Sequence, residues 1–243
     1  MQKIWVCGAR GQIGQAVNDV VDKLEFEMLD TDVDDLDVTD TDEVLRFGEM
    51  NRPDIIINCS GMTDISSCEE NPSQAFKVNA LGARNLAIVA AKMQAKMVQL
   101  STDDVFDGKS TEPYTEFDIT NPGTVYGKSK LAGENYVKEF TTKHFIVRST
   151  WVYGKGQNFI NGFLKKVDAG EQLSIASDQF GSPTSANELA RFLLHLVHTS
   201  EYGTYHATNK GVCSRYAFAQ EILKMTGKTA SMQPVPTVMS DFS

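Results

Sequence analysis

Gly8-Ala9-Arg10-Gly11-Gln12-Ile13-Gly14 decides the fold, because it joins a short apolar run, residues 4–7, to a longer amphipathic segment. Glycines let a backbone turn tightly and approach a pyrophosphate, whose charge the amides at a helix N-terminus then meet. An acid, Asp30, follows about twenty residues on, where a carboxylate that binds a ribose is expected. A plain tight turn is the alternative. We predict a dinucleotide-binding loop formed by Gly8, Arg10, Gly11, Gln12, Ile13 and Gly14.

Short apolar runs continue to alternate with amphipathic segments along the first part of the chain. Strands of a parallel sheet that is covered on both faces read as continuous apolar runs, and helices connect them. The predicted strands are residues 4–7, 26–29, 55–59, 97–101 and 145–148, and the predicted helices between them are 12–24, 41–50, 74–93 and 127–140. The pattern therefore predicts an α/β fold with a Rossmann-type doubly wound parallel sheet.

The pattern loosens after residue 155, where loops that carry Gly and Pro separate three helical stretches, 159–167, 187–197 and 215–225. We predict an NAD(P)-binding domain over residues 1–155, to which 183–200 also belongs. A smaller substrate-binding lobe is expected over residues 156–243. Ligands of open α/β sheets lie at the carboxyl ends of the strands, which this lobe would cover.

Composition and charge argue against several classes of protein, among them nucleic-acid-binding and membrane-spanning proteins. The 23 Lys and Arg residues against 32 Asp and Glu give a net charge of −9, which offers no basic surface for nucleic acid. No apolar stretch approaches the roughly eighteen residues of a membrane span, and the start lacks the apolar core of a signal peptide. The four cysteines are scattered and predict neither a disulfide framework nor a metal site. We expect a cytoplasmic protein without nucleic-acid or membrane partners.

Tyr126 and Lys130 are four residues apart, so on a helix they lie one above the other on the same face. A free tyrosine ionises near pH 10, and proton transfer near neutrality asks for a lower pKa of the phenol. At an effective dielectric constant near 20, an ammonium group about 4 to 5 Å away attracts the phenolate strongly enough to lower the phenol's pKa toward neutrality. We therefore expect Lys130 to lower the pKa of Tyr126. A solvent-facing pair is the alternative.

A threonine completes a catalytic group with this pair. The fourth predicted strand ends at Ser101-Thr102-Asp103, which places the Thr102 hydroxyl at the carboxyl edge of the sheet. Thr102, Tyr126 and Lys130 in this order are typical of a reductase triad.

The nicotinamide cofactor itself stays open between NADH and NADPH. The carboxylate of Asp30 would bind ribose hydroxyls and repel a 2′-phosphate, which favours NADH. The guanidinium of Arg10 would pair with that phosphate, which favours NADPH.

With these motifs the chain resembles the extended short-chain dehydrogenase/reductase family and, within it, the dTDP-4-dehydrorhamnose reductases. The resemblance spans nearly the whole chain. It includes Gly8–Gly14, Asp37-Val38, Val78-Asn79-Ala80, Ser101-Thr102-Asp103, Val105-Phe106-Asp107-Gly108, Tyr126-Gly127-Lys128-Ser129-Lys130, Trp151-Val152-Tyr153-Gly154, Gly181-Ser182-Pro183-Thr184 and Tyr205-His206.

The resemblance implies that the 4-keto group of dTDP-6-deoxy-L-lyxo-4-hexulose is reduced to dTDP-L-rhamnose, with a hydride from the nicotinamide and a proton from Tyr126. It implies a substrate site at Thr102, Asp103, Asp104 and Trp151, with the Trp151 ring against the hexose. It implies a cofactor site that adds Asp30, Asp37, Val38, Gly61, Met62, Thr63, Tyr126 and Lys130 to the glycine loop. Some members of the family dimerise around Mg²⁺; the sequence identifies no metal ligands and leaves monomer and homodimer open.

Three departures from the family pattern accompany the resemblance. Asp104 replaces a Tyr expected near the substrate, which leaves the exact sugar open. Residues 61–66 differ from the usual Ala-Tyr-Thr-x-Val-Asp, and the family's chains run on beyond the position of Ser243, so the smaller lobe is expected to be incomplete.

Two other functions stay open at this point. Thr102-Asp103-Asp104 resembles the Thr-Asp-Glu of sugar-nucleotide 4,6-dehydratases, which, like epimerases, retain their NAD. The regulatory subunit of methionine adenosyltransferase resembles the same reductases without catalysing a reaction.

Overall fold

The computed structural model describes residues 1–236, which form a central parallel sheet with helices on both faces and a smaller group of elements beside it. The strands are β1 (Gln2–Cys7), β2 (Phe26–Thr31), β3 (Ile55–Asn58), β4 (Lys96–Thr102), β5 (His144–Ser149), β6 (Val152–Tyr153), β7 (Leu173–Ala176), β8 (Phe180–Gly181), β9 (Thr184–Ser185), β10 (Gly203–His206), β11 (Cys213–Ser214) and β12 (Met232–Val235).

The helices connect these strands. They are α1 (Gln12–Val20), α2 (Thr41–Asn51), α3 (Ile65–Glu70), α4 (Pro72–Phe76), α5 (Ala83–Met93), α6 (Val125–Phe140), α7 (Phe159–Asp168), α8 (Ala186–Val197) and α9 (Arg215–Thr226). A π-helical segment, Lys77–Gly82, joins α4 to α5, and a 3-10 turn, Asp103–Val105, follows β4. No helix within residues 1–236 is long and apolar enough to cross a membrane.

The central sheet has six strands in the order β10-β5-β4-β3-β1-β2, all parallel. The predicted doubly wound α/β sheet is therefore confirmed. Register brings the carboxyl ends of the strands to one edge, since Cys7 of β1 lies opposite both Thr31 and Asn58. The end of β4, Thr102, lies opposite Ser149 of β5 at the same edge.

Two apolar cores hold the helices to the sheet. On one face α1 and α8 pack together over buried side chains such as Ile4, Ile57 and Leu193. On the other face α2, α5 and α6 pack together and cover Trp5 and Ile146. Side chains that alternate along one strand, such as Ile4 and Trp5, thus enter opposite cores, which is why the strands read as continuous apolar runs.

Residues 74–93 were expected to form one helix, and the structure divides this stretch around the π-helical segment. Asn79 within the segment turns its side chain toward the loop after β3. Gly133 of α6 packs against the same segment so closely that a Cβ there would lie 2.4 Å from the Asn79 carbonyl oxygen. A π-helical turn at such a place is frequently associated with a functional site.

A third, smaller core joins α7, α9, β7 and β12 around Phe163, Leu173 and Ile222. These elements lie in the range predicted for the substrate lobe, of which residues 237–243 lie outside the described residues. The lobe was expected to include Gly203–His206, but this segment is β10, the edge strand of the central sheet. Its polar sequence, Gly-Thr-Tyr-His, did not reveal a sheet strand, since an edge strand is only half covered.

Candidate active site

The glycine loop lies at the carboxyl edge of the sheet, between β1 and α1. Gly8 has a φ of +76°, and a Cβ there would lie 2.8 Å from the amide nitrogen of Ser60. A Cβ on Gly14 would lie 2.3 Å from the Gly8 carbonyl oxygen. Only glycine fits both positions, so the loop turns tightly and α1 begins directly beneath it.

The first turn of α1 presents donors that no side chain caps. Gly11 is the N-cap and makes no side-chain hydrogen bond to the helix, which leaves its first amides available to an anion. Gln12 donates to the Val152 carbonyl oxygen at 3.0 Å, but its buried Oε1 has no hydrogen-bond partner among the described residues. A tight backbone cradle and free amides fit the pyrophosphate of a dinucleotide. The unsatisfied Gln12 Oε1 is an acceptor and fits a donor such as a hydroxyl or an amide N–H instead.

Arg10 lies beside this loop and is held by an acidic turn. Its backbone amide donates to Asp32 at 2.8 Å, and its guanidinium pairs with Asp34 at 3.0 Å and Asp35 at 3.4 Å. Exposed ion pairs contribute little, about 0 to 1 kcal/mol, so a 2′-phosphate would compete for Arg10 at small cost. Asp30 is exposed near the end of β2. Both groups that bear on cofactor choice therefore lie at the carboxyl edge of the sheet, Arg10 within the glycine loop and Asp30 near the end of β2.

Five further predicted cofactor residues lie on two loops at the same edge, and the last two, Tyr126 and Lys130, lie on α6. Val38 is buried, and its carbonyl oxygen accepts from Asn85 at 3.0 Å, while Asp37 beside it is exposed. Asn79 holds the loop after β3: its Oδ1 accepts from the Met62 amide at 2.8 Å and its Nδ2 donates to the Met62 carbonyl at 2.9 Å. Gly61 and Thr63 flank this point and are exposed.

Asn79 thus positions the loop after β3, although the sequence analysis did not predict it as a site residue. Its Nδ2 also donates to the Ser129 hydroxyl at 2.9 Å, which connects the loop to α6. The signal was present in the Val78-Asn79-Ala80 motif, but that motif alone does not say which loop the amide holds.

Helix α6 carries Tyr126 in its first turn, and three contacts fix that turn. Thr124 caps the helix by accepting from the Gly127 amide at 3.0 Å, and Glu69 of α3 accepts from the Val125 amide at 2.7 Å. A Cβ on Gly127 would lie 2.0 Å from the Asp104 carbonyl oxygen. The glycine therefore brings Tyr126 against the turn that follows β4.

The pKa of Tyr126 differs from the expectation. Burial raises it above the usual range, the Asp104 and Asp103 carboxylates raise it further, and a side-chain hydrogen bond with Thr102 opposes them. The prediction that Lys130 lowers this pKa is wrong for this structure. The Asp104 and Asp103 carboxylates act on the pKa of the phenol, and the Lys130 ammonium group does not oppose them. At neutral pH the phenol therefore keeps its proton.

Lys130 is 5 % exposed, and its ammonium group donates to the Leu100 carbonyl at 2.7 Å. Burial lowers its pKa to about 8, which Glu134 opposes. A Cβ on Gly61 would lie 3.8 Å from its Nζ, so the ammonium faces the loop that is expected to bind the cofactor.

A buried ion pair one turn further along α6 holds the helix to the sheet. Glu134 accepts from Arg148 of β5 at 2.9 and 2.7 Å and from the Ser101 hydroxyl at 2.6 Å. Because removal of one partner leaves a buried charge, such pairs fix orientation strongly. The pair sets the rotation of α6 and hence the direction of Lys130.

Thr102 lies beside Tyr126, and two carboxyl groups follow it. The Thr102 hydroxyl donates to Asp103 Oδ1 at 3.1 Å and accepts from the Asp104 amide at 3.2 Å. Solvent reaches Asp103, but burial of its carboxyl raises the pKa, which hydrogen bonds from Thr150 and Thr102 oppose. Burial and then the Asp103 charge raise the pKa of Asp104 to about 7. The structure therefore brings Thr102, Tyr126 and both acids together, while Lys130, one turn further along α6, binds the Leu100 carbonyl.

Trp151 has a φ of +44°, and the Arg215 guanidinium carbon lies 3.5 Å from its ring centroid. The backbone of Gly181 also faces the ring, since a Cβ there would lie 2.6 Å from it. Stacking of a hexose on Trp151 stays a prediction, and the ring already carries a guanidinium. Arg215 comes from α9 and was not predicted from the sequence.

Within residues 1–236 no group of three or more His, Cys, Asp or Glu side chains is placed to hold a metal ion. The Mg²⁺ implied by the resemblance therefore has no site that these residues define.

Comparison with known proteins agrees with the resemblance. The RmlD substrate binding domain family matches residues 1–242. The chain is 35% identical to the spore coat polysaccharide biosynthesis protein SpsK of Bacillus subtilis, covering 98% of this chain and 84% of that protein. It is 33% identical to a dTDP-4-dehydrorhamnose reductase of Aggregatibacter actinomycetemcomitans, again over 98% of this chain and 84% of the relative.

Solved structures agree as well. A dTDP-4-dehydrorhamnose reductase from Clostridium acetobutylicum is 42% identical with a TM-score of 0.95, covering 100% of this chain and 86% of that one. A second from Bacillus anthracis, solved in complex with NADP, is 38% identical with a TM-score of 0.94 over 98% of this chain and 85% of that one. On this match of sequence and fold, the chain belongs to the RmlD substrate binding domain family of the extended short-chain dehydrogenases/reductases.

Proposed function

We propose that the protein reduces the 4-keto group of dTDP-4-dehydrorhamnose to give dTDP-L-rhamnose, with NADPH or NADH as the hydride source. One observation carries the proposal: the first turn of α6, which carries Tyr126, packs directly on the turn that begins at Thr102, beside a loop that only glycine can form. The relatives named dTDP-4-dehydrorhamnose reductase and the NADP complex of one neighbour support it.

The glycine loop and the first turn of α1 would hold the pyrophosphate, and Asp30 or Arg10 would meet the adenosine ribose. Asn79 fixes the loop at Met62, and Lys130 reaches the same region from α6. When bound, the cofactor supplies a hydride to the C4 carbon of the sugar. The chain's own residues orient the keto group and provide the proton.

Tyr126 is suited to the role of proton donor because its raised pKa keeps the phenol protonated at neutral pH. Its proton would pass to the C4 oxygen as negative charge develops there, with the Thr102 hydroxyl as a second hydrogen-bond donor. Lys130 contributes positive charge near the reacting groups. Asp103, Asp104 and Trp151 border the space that the sugar would occupy.

The experiment is a steady-state assay of NADPH and NADH oxidation with the dTDP-4-keto-6-deoxy sugar, on the wild type and Tyr126→Phe. We expect the variant to lose kcat by on the order of 10² or more, because the general acid alone is removed, while cofactor affinity measured by fluorescence is retained. Full turnover by Tyr126→Phe would refute the assigned role.

The same assay separates the alternatives. A dehydratase or epimerase would convert a nucleotide sugar without net oxidation of added cofactor. A regulatory subunit would oxidise none and would co-purify with a methionine adenosyltransferase. The cytoplasmic location stays a prediction, and so does the choice between monomer and homodimer.

A further inference from the structure

The guanidinium of Arg215 is packed against two aromatic rings. Arg215 is the first residue of α9, and its guanidinium carbon lies over the Trp151 ring, 3.5 Å from the centroid, and 4.7 Å from the centroid of Phe159. Phe218, on the next turn of α9, packs against the Phe159 ring with centroids 5.7 Å apart. A guanidinium at such a distance over a ring is stacked on it, so its N–H donors point outward past the ring edge.

These N–H donors have no partner among residues 1–236. In that range the Arg215 side chain makes no hydrogen bond, and no carboxylate lies within ion-pair distance of it. Burial lowers the pKa of Arg215 to about 10, which the charges of Asp103 and Asp104 oppose, so the group is charged at neutral pH. The side chain is only half buried, and none of its nitrogens is among the enclosed polar atoms without a partner. A ligand from solvent can therefore reach a charged and unpaired fork of donors.

The support of this guanidinium is anchored at the proposed active site. Trp151 follows Thr150, whose hydroxyl donates to Asp103 Oδ2 at 2.5 Å. The other carboxylate oxygen of Asp103 accepts from the Thr102 hydroxyl at 3.1 Å. The ring that carries Arg215 is thus connected, through two hydrogen bonds, to the end of β4 at the carboxyl edge of the sheet.

The charges at this edge point to an anion as the ligand of Arg215. Arg148 is neutralised by Glu134 at 2.7 Å, and the Lys130 ammonium group faces the loop that is expected to bind the cofactor. Arg215 is not neutralised by any described carboxylate. A planar fork of N–H donors binds phosphate oxygens two at a time, which fits the diphosphate of a nucleotide sugar.

Resting on the proposed reductase function, we propose that Arg215 binds the diphosphate of the nucleotide-sugar substrate, and that Trp151 supports the guanidinium instead of stacking on the hexose. The diphosphate is attached to C1 of the hexose, and C4, which is reduced, lies on the opposite side of that ring. A diphosphate held by Arg215 therefore directs C4 away from α9 and toward the turn at Thr102. Arg215 is a substrate-positioning residue in this arrangement.

The first test measures ligand binding without turnover. Wild type, Arg215→Gln, Arg215→Lys and the control Arg191→Gln, which removes an exposed guanidinium of α8, are titrated with dTDP and with thymidine in the presence of saturating NADP. Ligand-observed NMR registers the weak binding of thymidine as well. We expect Arg215→Gln to weaken dTDP binding by about tenfold or more and to leave thymidine binding unchanged, because only dTDP has the diphosphate. Arg191→Gln should match the wild type with both ligands.

Arg215→Lys keeps the charge but loses the fork, and it covers the case in which Arg215→Gln does not fold. It should weaken dTDP binding severalfold, again with no effect on thymidine. Cofactor affinity, measured by fluorescence, should be the same in all variants.

The second test asks whether Trp151 acts through Arg215. We expect Trp151→Leu to weaken dTDP binding and to add little when it is combined with Arg215→Gln, since both changes remove the same contact. If the ring instead stacked on the hexose, Trp151→Leu would leave the binding of dTDP unchanged, because dTDP has no hexose. That result would refute the supporting role of Trp151.

Wild-type affinity of Arg215→Gln for dTDP, or equal losses of dTDP and thymidine binding, would refute the diphosphate site and leave the reductase standing. If the wild type oxidises neither NADPH nor NADH with the 4-keto nucleotide, the proposed function is refuted. The titrations with dTDP and thymidine still report in that case whether Arg215 binds a diphosphate.

Discussion

Tyr126 illustrates how its surroundings, more than its helical neighbour, set the state of a catalytic side chain. Burial and two carboxylates keep the phenol neutral. Reduction consumes a proton at the substrate oxygen, so the neutral phenol is the form that reduction uses. Oxidation in reverse would need the phenolate, which this environment disfavours. At neutral pH the phenol therefore holds the proton that reduction transfers.

The sequence predicted that Tyr126 and Lys130 share a helix face, and the structure has both on α6. It did not predict the pKa of the phenol, because the groups that decide it come from other elements. Asp103 and Asp104 approach from the turn after β4, and the Leu100 carbonyl binds the Lys130 ammonium group. A spacing of four residues sets a distance along one helix but says nothing about the other groups nearby.

Asp104→Asn should stabilise the fold at neutral pH. The carboxyl has a raised pKa of about 7 when folded and an ordinary one when unfolded, so the folded state binds more protons between about pH 4 and 7. The unfolding free energy of the wild type therefore falls as pH rises through that window. We expect Asp104→Asn to lack part of this decrease and to be more stable at pH 8 by on the order of 1–2 kcal/mol, reduced for partial exposure.

Denaturant unfolding of the wild type and Asp104→Asn from pH 4 to 8 measures this difference. The exposed Glu112→Gln serves as the control and should follow the wild type. Equal pH dependence in the wild type and Asp104→Asn would show that Asp104 is ionised throughout and has an ordinary pKa.

At the level of elements, apolar runs located the first five strands of the sheet to within a few residues, because buried parallel strands leave little room for polar side chains. Helix ends were less certain: α1 ends at Val20 although apolar spacing continued to residue 24. The π-helical segment was not predictable, since its extra residue per turn follows from packing of Asn79 against Met62 and of Gly133 against the segment.

Gly127→Ala should damage the site more than the fold. The added Cβ would lie 2.0 Å from the Asp104 carbonyl oxygen, so the first turn of α6 must separate from the 3-10 turn. We expect kcat to fall by about tenfold or more, because a displacement near 1 Å at a reacting group is costly. Overpacking should also lower the unfolding free energy by about 1–3 kcal/mol.

Gly123→Ala is the matched control for this change. It is exposed, and a Cβ there meets nothing within 4 Å, although it lies only a few residues before α6. Measurements of kcat and of denaturant unfolding on both variants show whether Gly127→Ala lowers activity and stability more than Gly123→Ala. If Gly127→Ala behaves like Gly123→Ala, the close approach of α6 to Asp104 does not position Tyr126.

For the whole molecule, the division into a sheet domain and a smaller lobe remains a prediction, but the structure shows how the chain crosses between the two regions. After α7 and β7 the chain returns to the sheet with α8 and β10, then leaves again for α9 and β12. The assignment of residues 183–200 to the sheet domain stays a prediction, and the sequence did not predict β10 as a strand of the sheet. Arg215 could not be predicted as a site residue, since its partners Trp151, Asp103 and Asp104 lie far away in the chain.

Arg215→Gln tests whether α9 controls the acids at the edge of the sheet. The guanidinium lowers the pKa of both Asp103 and Asp104, so its removal should raise the pKa of Asp104 above the wild-type value of about 7. Loss of its stacking on Trp151 should also lower the unfolding free energy by about 0.5–2 kcal/mol.

The matched control, Arg191→Gln, removes an exposed guanidinium of α8 that pairs only weakly with Glu188 at 3.6 Å. The pKa of Asp104 is read from the pH titration of the protonated-carboxyl band in infrared difference spectra. The free energy of unfolding is read from denaturant unfolding. An unchanged midpoint in Arg215→Gln would mean that solvent screens the acids from α9, so that the lobe contributes no charge to the site.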